Sequence, residues 1–387
     1  MKIIITGGTG FLGSSLTHKL RTDGHEVHTI SRHPLPSRDL EGHSFHHTFD
    51  LTQEALPRSL LSKTDVFFHV AAKAGVWGKY SEFYDANVRA TENIIAACQL
   101  SNIPRLIYTS TPSVVFSGNS INNGNESLQY GNSSFSAYAK TKSIAEQKIL
   151  RANEPGRFQT LALRPHLVWG KKDPHLLPRV ISRHREGKLR IIGSGENQVD
   201  LTHIDNVTHA HVCAMVAMQK NSNLGGKPYF IGQDEPILLW KWLNELFQLI
   251  NLPPLTQKLS FRNAFLLGAA LESTFKLLLI KKEPPMTRFV ACQLAHDHWF
   301  SAQSAQDELG YYPIKNMKQA TYIVPVVILL TLLALFYWRA SQTKAYMANE
   351  GKLPEITAKD YSKSYLYKGR KVQPKRTAID TNAVDVD

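Results

Sequence analysis

The chain has 387 residues, a formal net charge of +13 and 43% hydrophobic residues, enough to bury the core of one large α/β domain or two smaller ones. Its three cysteines, Cys98, Cys213 and Cys292, lie far apart and in no metal-ligand spacing, which speaks against a disulfide scaffold and a metal site and for free thiols in a reducing compartment. The positive charge suits anionic lipid, nucleic acid or an acidic substrate, but no zinc-finger, RNA-recognition or basic-helix pattern accompanies it, so nucleic acid is not expected as a partner.

Residues 3–6 are apolar and β-branched and read as a buried strand. Gly7, Gly8, Gly10 and Gly13 follow, and residues 12–22 read as a helix. The glycines fit both G-x-G-x-x-G and G-x-x-G-x-x-G. In a strand–turn–helix context such a turn lets Gly7, Gly10, Phe11, Leu12 and Gly13 approach a dinucleotide pyrophosphate at the helix N-terminus; an ordinary strand–turn–helix is the alternative. A strand this close to Met1 leaves no room for a secretory signal, so the amino-terminal domain is expected to stay in the cytoplasm. The second strand, 26–31, leads into Arg32-His33. An NAD enzyme usually carries an acid there, whereas an arginine accommodates a 2′-phosphate. No acid occurs between Val27 and Arg38, so NADP(H) is expected, with Arg32 on the phosphate.

Strands at 66–70, 105–109 and 160–164 alternate with helices at 83–99 and 137–152. Repeated βα units imply an α/β fold with a doubly wound parallel sheet of Rossmann type over 1–173, binding its ligand at the carboxyl ends of the strands. From about residue 174, Gly193, Gly195, Gly225-Gly226 and Pro253-Pro254 punctuate shorter segments, with helices at 238–250 and 262–280. The span 174–316 is read as mainly a smaller substrate-binding lobe. Residues 322–338 carry no charge and end in Tyr337-Trp338 before Arg339. That suits a transmembrane helix over 320–340 at the short end of spanning length, and a buried core helix is the alternative. The tail over 341–387 is polar and basic; from Arg339 onward there are ten basic and six acidic residues.

Tyr138-Ala-Lys-Thr-Lys142 is a Y-x-x-x-K on the helix at 137–152. One turn apart, the two side chains share a face. The lysine charge favours the tyrosinate, so the phenol is expected to exchange a proton with a carbonyl or alcohol oxygen nearer neutral pH. The same spacing recurs at Tyr311/Lys315, which encloses Pro313, and at Tyr367/Lys371 in the tail. Tyr138 stands out by context: the glycine turn upstream, Thr109-Ser110-Thr111 after one strand and Leu163-Arg164-Pro165 after the next.

This ordered set resembles the extended short-chain dehydrogenase/reductases over roughly residues 1–312. The resemblance implies that Tyr138 is the general acid, that Lys142 also binds the nicotinamide ribose, and that Thr111 helps hold the substrate oxygen, with Ser110 adjacent; either hydroxyl could instead serve a turn. It further places Asp50 and Leu51 on the adenine side, and Ala71 and Pro165 along the cofactor path. Asn87 matches the family's N-V-x-G-T, although Ala90 replaces its glycine. His69-Val-Ala-Ala-Lys-Ala-Gly-Val-Trp-Gly78, Arg164-Pro-His-Leu-Val-Trp-Gly170 and Glu283-Pro-Pro-Met-Thr-Arg-Phe289 are most similar to the 3β-hydroxysteroid dehydrogenase-like branch. Within it they resemble bacterial enzymes that reduce the ketone of long-chain 2-alkyl-3-oxoalkanoates in olefin biosynthesis.

That likeness implies a lipid-like keto acid as substrate. The helix at 262–280 and Trp77 would line its chains, and Lys73, His166 or Arg179 would meet its carboxylate. A homodimer and other enzymes of the same pathway are candidate partners, as is a membrane. Such proteins usually finish with an amphipathic helix after Leu309-Gly-Tyr-Tyr-Pro-Ile314, which the apolar stretch replaces here; this points to the cytoplasmic face of a membrane with a single-pass anchor near the C-terminus. A 3β-hydroxysteroid or sterol-4-carboxylate 3-dehydrogenase shares the same proton-transfer residues, and a membrane-bound NADP-sensing protein without turnover is the non-enzymatic alternative.

Overall fold

The computed structural model describes residues 1–35, 45–132, 135–174 and 176–322. From the amino terminus β1 (Lys2–Thr6) leads through the glycine turn into α1 (Phe11–Thr22), followed by β2 (Glu26–Ser31), β3 (His46–Thr48), α2 (Arg58–Leu61) and β4 (Val66–His69). Then come α3 (Tyr80–Tyr84), α4 (Ala90–Leu100), β5 (Arg105–Thr109), β6 (Ile121–Gly124), α5 (Ala137–Arg151) and β7 (Gln159–Pro165). The remainder runs α6 (Leu176–Arg185), β8 (Ile191–Ile192), β9 (Gln198–Val199), α7 (Ile204–Lys220), β10 (Lys227–Ile231), β11 (Ile237–Leu238), α8 (Leu239–Leu249), β12 (Lys258–Leu259), α9 (Phe261–Leu277), α10 (Arg288–Ala295), β13 (His298–Phe300) and α11 (Gln303–Leu309).

Seven strands form one sheet in the order β10-β7-β5-β4-β1-β2-β3, and every neighbouring pair is parallel. The inner strands β1, β4, β5 and β7 are rich in apolar residues, as strands covered on both faces are. Ile3, Ile5, Val66 and Ile107 pack with α1 and α7 on one side; Ile4, Phe67, Leu106 and Tyr108 pack with α4 and α5 on the other. The order reverses at β1, which lies between β4 and β2, and such a switch point opens a crevice at the carboxyl ends of the strands.

The second core gathers Trp169, Trp240, Trp242, Leu246 and Phe247 with Met317 and Ala320. A smaller sheet, β11-β9-β13-β6, stitches the halves together, because β6 follows directly from the segment after β5. Within 174–316 the chain also crosses back to the main sheet: α7 packs beside α1, where Thr208 Oγ1 donates to Ser15 Oγ at 2.9 Å, and β10 pairs with β7.

The helix expected over 83–99 is not regular. A π turn at Asp85–Arg89 joins α3 to α4, and Asn87 within it is buried. The helix expected over 262–280 stops at Leu277. Of the apolar stretch at 322–338, all but Tyr322 falls outside the described residues, as does the tail. Among the described residues no helix is long and apolar enough to cross a membrane.

Candidate active site

The glycine turn is shaped by two close approaches. Gly7 has φ +67°, a left-handed conformation, and a Cβ there would come within 2.9 Å of the Ala71 backbone nitrogen. A Cβ on Gly13 would stand 2.0 Å from the Gly7 carbonyl oxygen. Only glycine lets β1, α1 and the end of β4 converge this tightly. Gly10 caps α1 with no side chain to occupy its end. The amides of Phe11, Leu12 and Gly13 therefore lack intrahelical acceptors and sit in the positive end of the helix dipole. The cradle fits a dinucleotide pyrophosphate.

On the adenosine side, Arg32 is exposed just beyond β2. The Asp50 carboxylate accepts from the Thr52 amide at 3.0 Å and the Thr52 hydroxyl at 2.7 Å. These bonds, and more weakly the charge of Arg32, hold its pKa below the usual range. Leu51 is buried, with its carbonyl held by Asn93 Nδ2 at 2.8 Å. Ala71 donates its amide to Thr6 Oγ1 at 3.2 Å, and Pro165 is buried at the end of β7.

Ser136 starts α5 as an N-cap, its Oγ accepting from the Ala139 amide at 3.1 Å. One turn of this helix presents Tyr138 and Lys142 together. Lys142 is buried, its Nζ donating to the Thr109 carbonyl at 2.6 Å and lying 4.0 Å from the centroid of the Tyr108 ring. Thr111, two residues beyond Thr109, caps a short 3₁₀ turn at Pro112–Val115. The spacing predicted a tyrosine made more acidic by its lysine. Desolvation wins instead: burial pushes the half-buried Tyr138 phenol up, while a hydrogen bond with the Thr111 side chain pulls the other way. Burial also brings Lys142 down to about 7, opposed by the charge of Glu146. Tyr138 is thus held protonated beside the hydroxyl of Thr111, the state in which it can donate. Ser110 Oγ is buried with no hydrogen-bond partner among the described residues.

Several supporting residues carry no sequence motif of their own. His69 bridges Thr6 Oγ1 at 2.7 Å and Thr91 Oγ1 at 2.9 Å; burial first, then the charge of Lys142, lowers its pKa to about 3 and keeps it neutral. Asn87 accepts from the Lys73 amide at 2.7 Å and donates to the Lys73 carbonyl and to Thr141 Oγ1, both at 3.1 Å. Glu146, fully buried, receives Arg164 Nε at 3.1 Å and the Tyr130 hydroxyl at 2.9 Å. A readable signal did exist for Glu146: it is four residues beyond Lys142, on the face that already holds Tyr138.

The residues expected at the substrate are spread apart. Lys73 Nζ pairs with Glu82 at 2.6 Å, and Arg179 pairs with Glu283. His166 is buried, with Nε2 2.6 Å from His298 Nδ1, and burial drives its pKa well below the usual range. Trp77 donates to the Ile280 carbonyl at 3.3 Å and meets Phe275 of α9 edge-on. Beside the 3₁₀ turn, Phe116, Phe289 and Cys292 form an apolar cluster with Val76, Phe135 and Phe265 packed against it. Phe116 follows the Thr111 turn and Phe135 precedes Tyr138, so this wall adjoins the proton-transfer pair.

The profile of the 3-beta hydroxysteroid dehydrogenase/isomerase family matches residues 4–259. A 2-alkyl-3-oxoalkanoate reductase of Stenotrophomonas maltophilia (strain K279a) is 40% identical over 321 residues, covering 82% of this chain and 97% of the relative. A decarboxylating sterol-4-alpha-carboxylate 3-dehydrogenase of Mus musculus is 32% identical over 323 residues, covering 82% and 88%. Among solved structures, a UDP-glucuronic acid 4-epimerase from Bacillus cereus in complex with NAD superposes with a TM-score of 0.63 at 24% identity, covering 83% of this chain and 96% of that one. The last likeness concerns the fold.

Two outcomes follow from this geometry. Tyr138→Phe lowers kcat by about 10²–10⁴-fold, the usual weight of a positioned acid, while dinucleotide binding, measured by fluorescence titration, is retained. Lys142 has a folded-state pKa of about 7 against an ordinary 10.5. Across that window the unfolded chain binds the additional proton, so stability rises with pH. Lys142→Met removes that rise, which denaturant titrations of both proteins at about pH 7 and about pH 9 read directly.

Proposed function

The chain belongs to the 3-beta hydroxysteroid dehydrogenase/isomerase family, and from that premise we propose that it is an NADP(H)-dependent reductase of long-chain 2-alkyl-3-oxoalkanoates, giving the 2-alkyl-3-hydroxy acids of olefin biosynthesis. The observation that carries the reading is the protonated Tyr138 beside Thr111, next to the apolar wall of Phe116, Phe135 and Phe265. The 40% identity to a 2-alkyl-3-oxoalkanoate reductase supports it.

A bound nicotinamide dinucleotide supplies the hydride. The amides of Phe11, Leu12 and Gly13 would hold its pyrophosphate, Arg32 would pair with a 2′-phosphate, and Lys142 would reach the ribose hydroxyls. Thr111 orients the ketone oxygen, and Tyr138 passes its phenolic proton to that oxygen as the alcohol forms. The aromatic wall takes the alkyl chains and excludes water. The similarity to a sterol-4-alpha-carboxylate 3-dehydrogenase favours a second reading, oxidation of a 3β-hydroxyl with the same residues, in which Tyr138 accepts the proton. Residues 320–340 are proposed as a single-pass anchor at the cytoplasmic face of a membrane, where an apolar substrate concentrates.

The test offers the purified enzyme a long-chain 2-alkyl-3-oxoalkanoate, a 3β-hydroxysteroid and both nicotinamides. The reading expects ketone reduction with NADPH favoured over NADH. Arg32→Glu should shift the ratio of kcat/KM values toward NADH by roughly tenfold to hundredfold, the weight of one charged hydrogen bond. Steroid oxidation with NAD and no turnover of the keto acid would replace it with the second reading. For the anchor, fractionation should find the full chain in the membrane pellet at high salt and a chain lacking residues 320–387 in the supernatant; a soluble full chain rules the anchor out.

A further inference from the structure

Helix α9 touches the protein through a narrow seam. Its buried residues, Ala264, Gly268 and Glu272, recur every four positions, and a Cβ on Gly268 would come within 2.7 Å of the Arg288 amide. The opposite side is leucine-rich and open to solvent. Leu266 is 56% exposed, Leu267 46%, Leu277 83%, Leu278 62% and Leu279 84%. Scattered apolar residues need no explanation, but three consecutive exposed leucines, Leu277, Leu278 and Leu279, at a helix end form a patch that marks an interaction surface.

The end of this helix adds an independent observation. The Leu279 amide donates to the Lys276 carbonyl at 3.2 Å and the Ile280 amide to the Phe275 carbonyl at 2.9 Å. This is a Schellman turn, whose left-handed position is normally glycine. Leu279 occupies it at φ 52°, a conformation a β-carbon disfavours. The strained residue presents its side chain to solvent, so nothing in the fold repays the strain.

Charge decides what meets these leucines. Lys276, Lys281 and Lys282 are exposed around the turn, and none forms an ion pair with a described residue. Between Phe261 and Lys282 the one acid is Glu272, which is buried and bound to Arg288 Nη2 at 2.8 Å. A convex apolar tip in a lysine collar matches acyl chains beneath anionic headgroups. Trp77 and Phe275 link the same turn to the loop after β4.

We propose that the Leu277–Leu279 turn of α9 and its flanking lysines dock into an anionic lipid surface, as a second membrane contact separate from residues 322–338. The two contacts are distinguishable because a reporter on the turn senses only its own surroundings. In full-length protein carrying Cys213→Ser, an environment-sensitive fluorophore is attached at Leu278→Cys; Cys98 and Cys292 are buried. Vesicles of phosphatidylcholine with phosphatidylglycerol should blue-shift its emission, and vesicles of phosphatidylcholine alone much less. Replacing Lys276, Lys281 and Lys282 by Gln should weaken that response on the order of fivefold per lysine. Leu279→Gly should also weaken it while leaving Tm equal or higher, since glycine suits the turn. Emission unmoved by either vesicle overturns the proposal even if the protein pellets through its C-terminal segment. A shift that grows with protein concentration in the absence of lipid overturns it in favour of a second copy, and a fall in Tm for Leu279→Gly overturns the premise of a strained, unpartnered leucine.

Discussion

The Lys142 ammonium lies where water scarcely reaches it, and among the described residues its one hydrogen-bond acceptor is the Thr109 carbonyl at 2.6 Å. Removing such a charge from water costs on the order of several kcal/mol unless it is met by dipoles and counter-charge. The surroundings are arranged as that answer. The face of the Tyr108 ring lies over the ammonium, and Glu146 supports the charged form from one turn along α5. Glu146 in turn has to be held, and Arg164 and Tyr130 hold it. The chain of compensation runs from the catalytic helix across β7, so the proton-transfer pair and the central sheet form one electrostatic unit.

A second chain of contacts ties the dinucleotide cradle to the same helix. Thr6, at the end of β1, reaches His69, then Thr91; Thr91 Oγ1 donates to the Asn87 carbonyl, and the Asn87 side chain donates to Thr141 of α5. Every member is buried and partnered, which is the condition under which polar networks rigidify a core rather than weaken it. The neutral His69 suits this place, because an imidazolium so close to Lys142 would add a second buried cation.

What the sequence showed and what it hid divide by contact range. The glycine turn, the Tyr138/Lys142 pair and strands such as β2 and β5 depend on neighbours within a few residues, and spacing reveals them. β3 was missed because His46-His47-Thr48 is short and polar. β10 was missed because Lys227-Pro228 breaks an apolar run, which an edge strand tolerates. α7 hides behind Asn206 and His211, polar side chains at positions that tertiary partners satisfy; His211, for example, bonds Thr109 Oγ1 at 2.8 Å. The partners of Arg179 and Lys73 could not be read at all, since Glu283 lies 104 positions from the first and nothing local announces Glu82 for the second.

The π turn at Asp85–Arg89 acts as a vernier between two helices that read as one. Each residue advances a helix by about 100°, so one additional residue rotates everything before it out of phase with everything after it. Within the wider turn the adjacent Asn87 and Val88 are both buried, while Phe83 of α3 and the stripe Ala90, Ile94 and Cys98 of α4 face inward on either side of it. The reading frame of this segment is consequently a functional quantity in its own right. Deleting a single residue there would change that phase by about 100° and so move Asn87 relative to the loop that follows β4, although no side chain at the site had been altered.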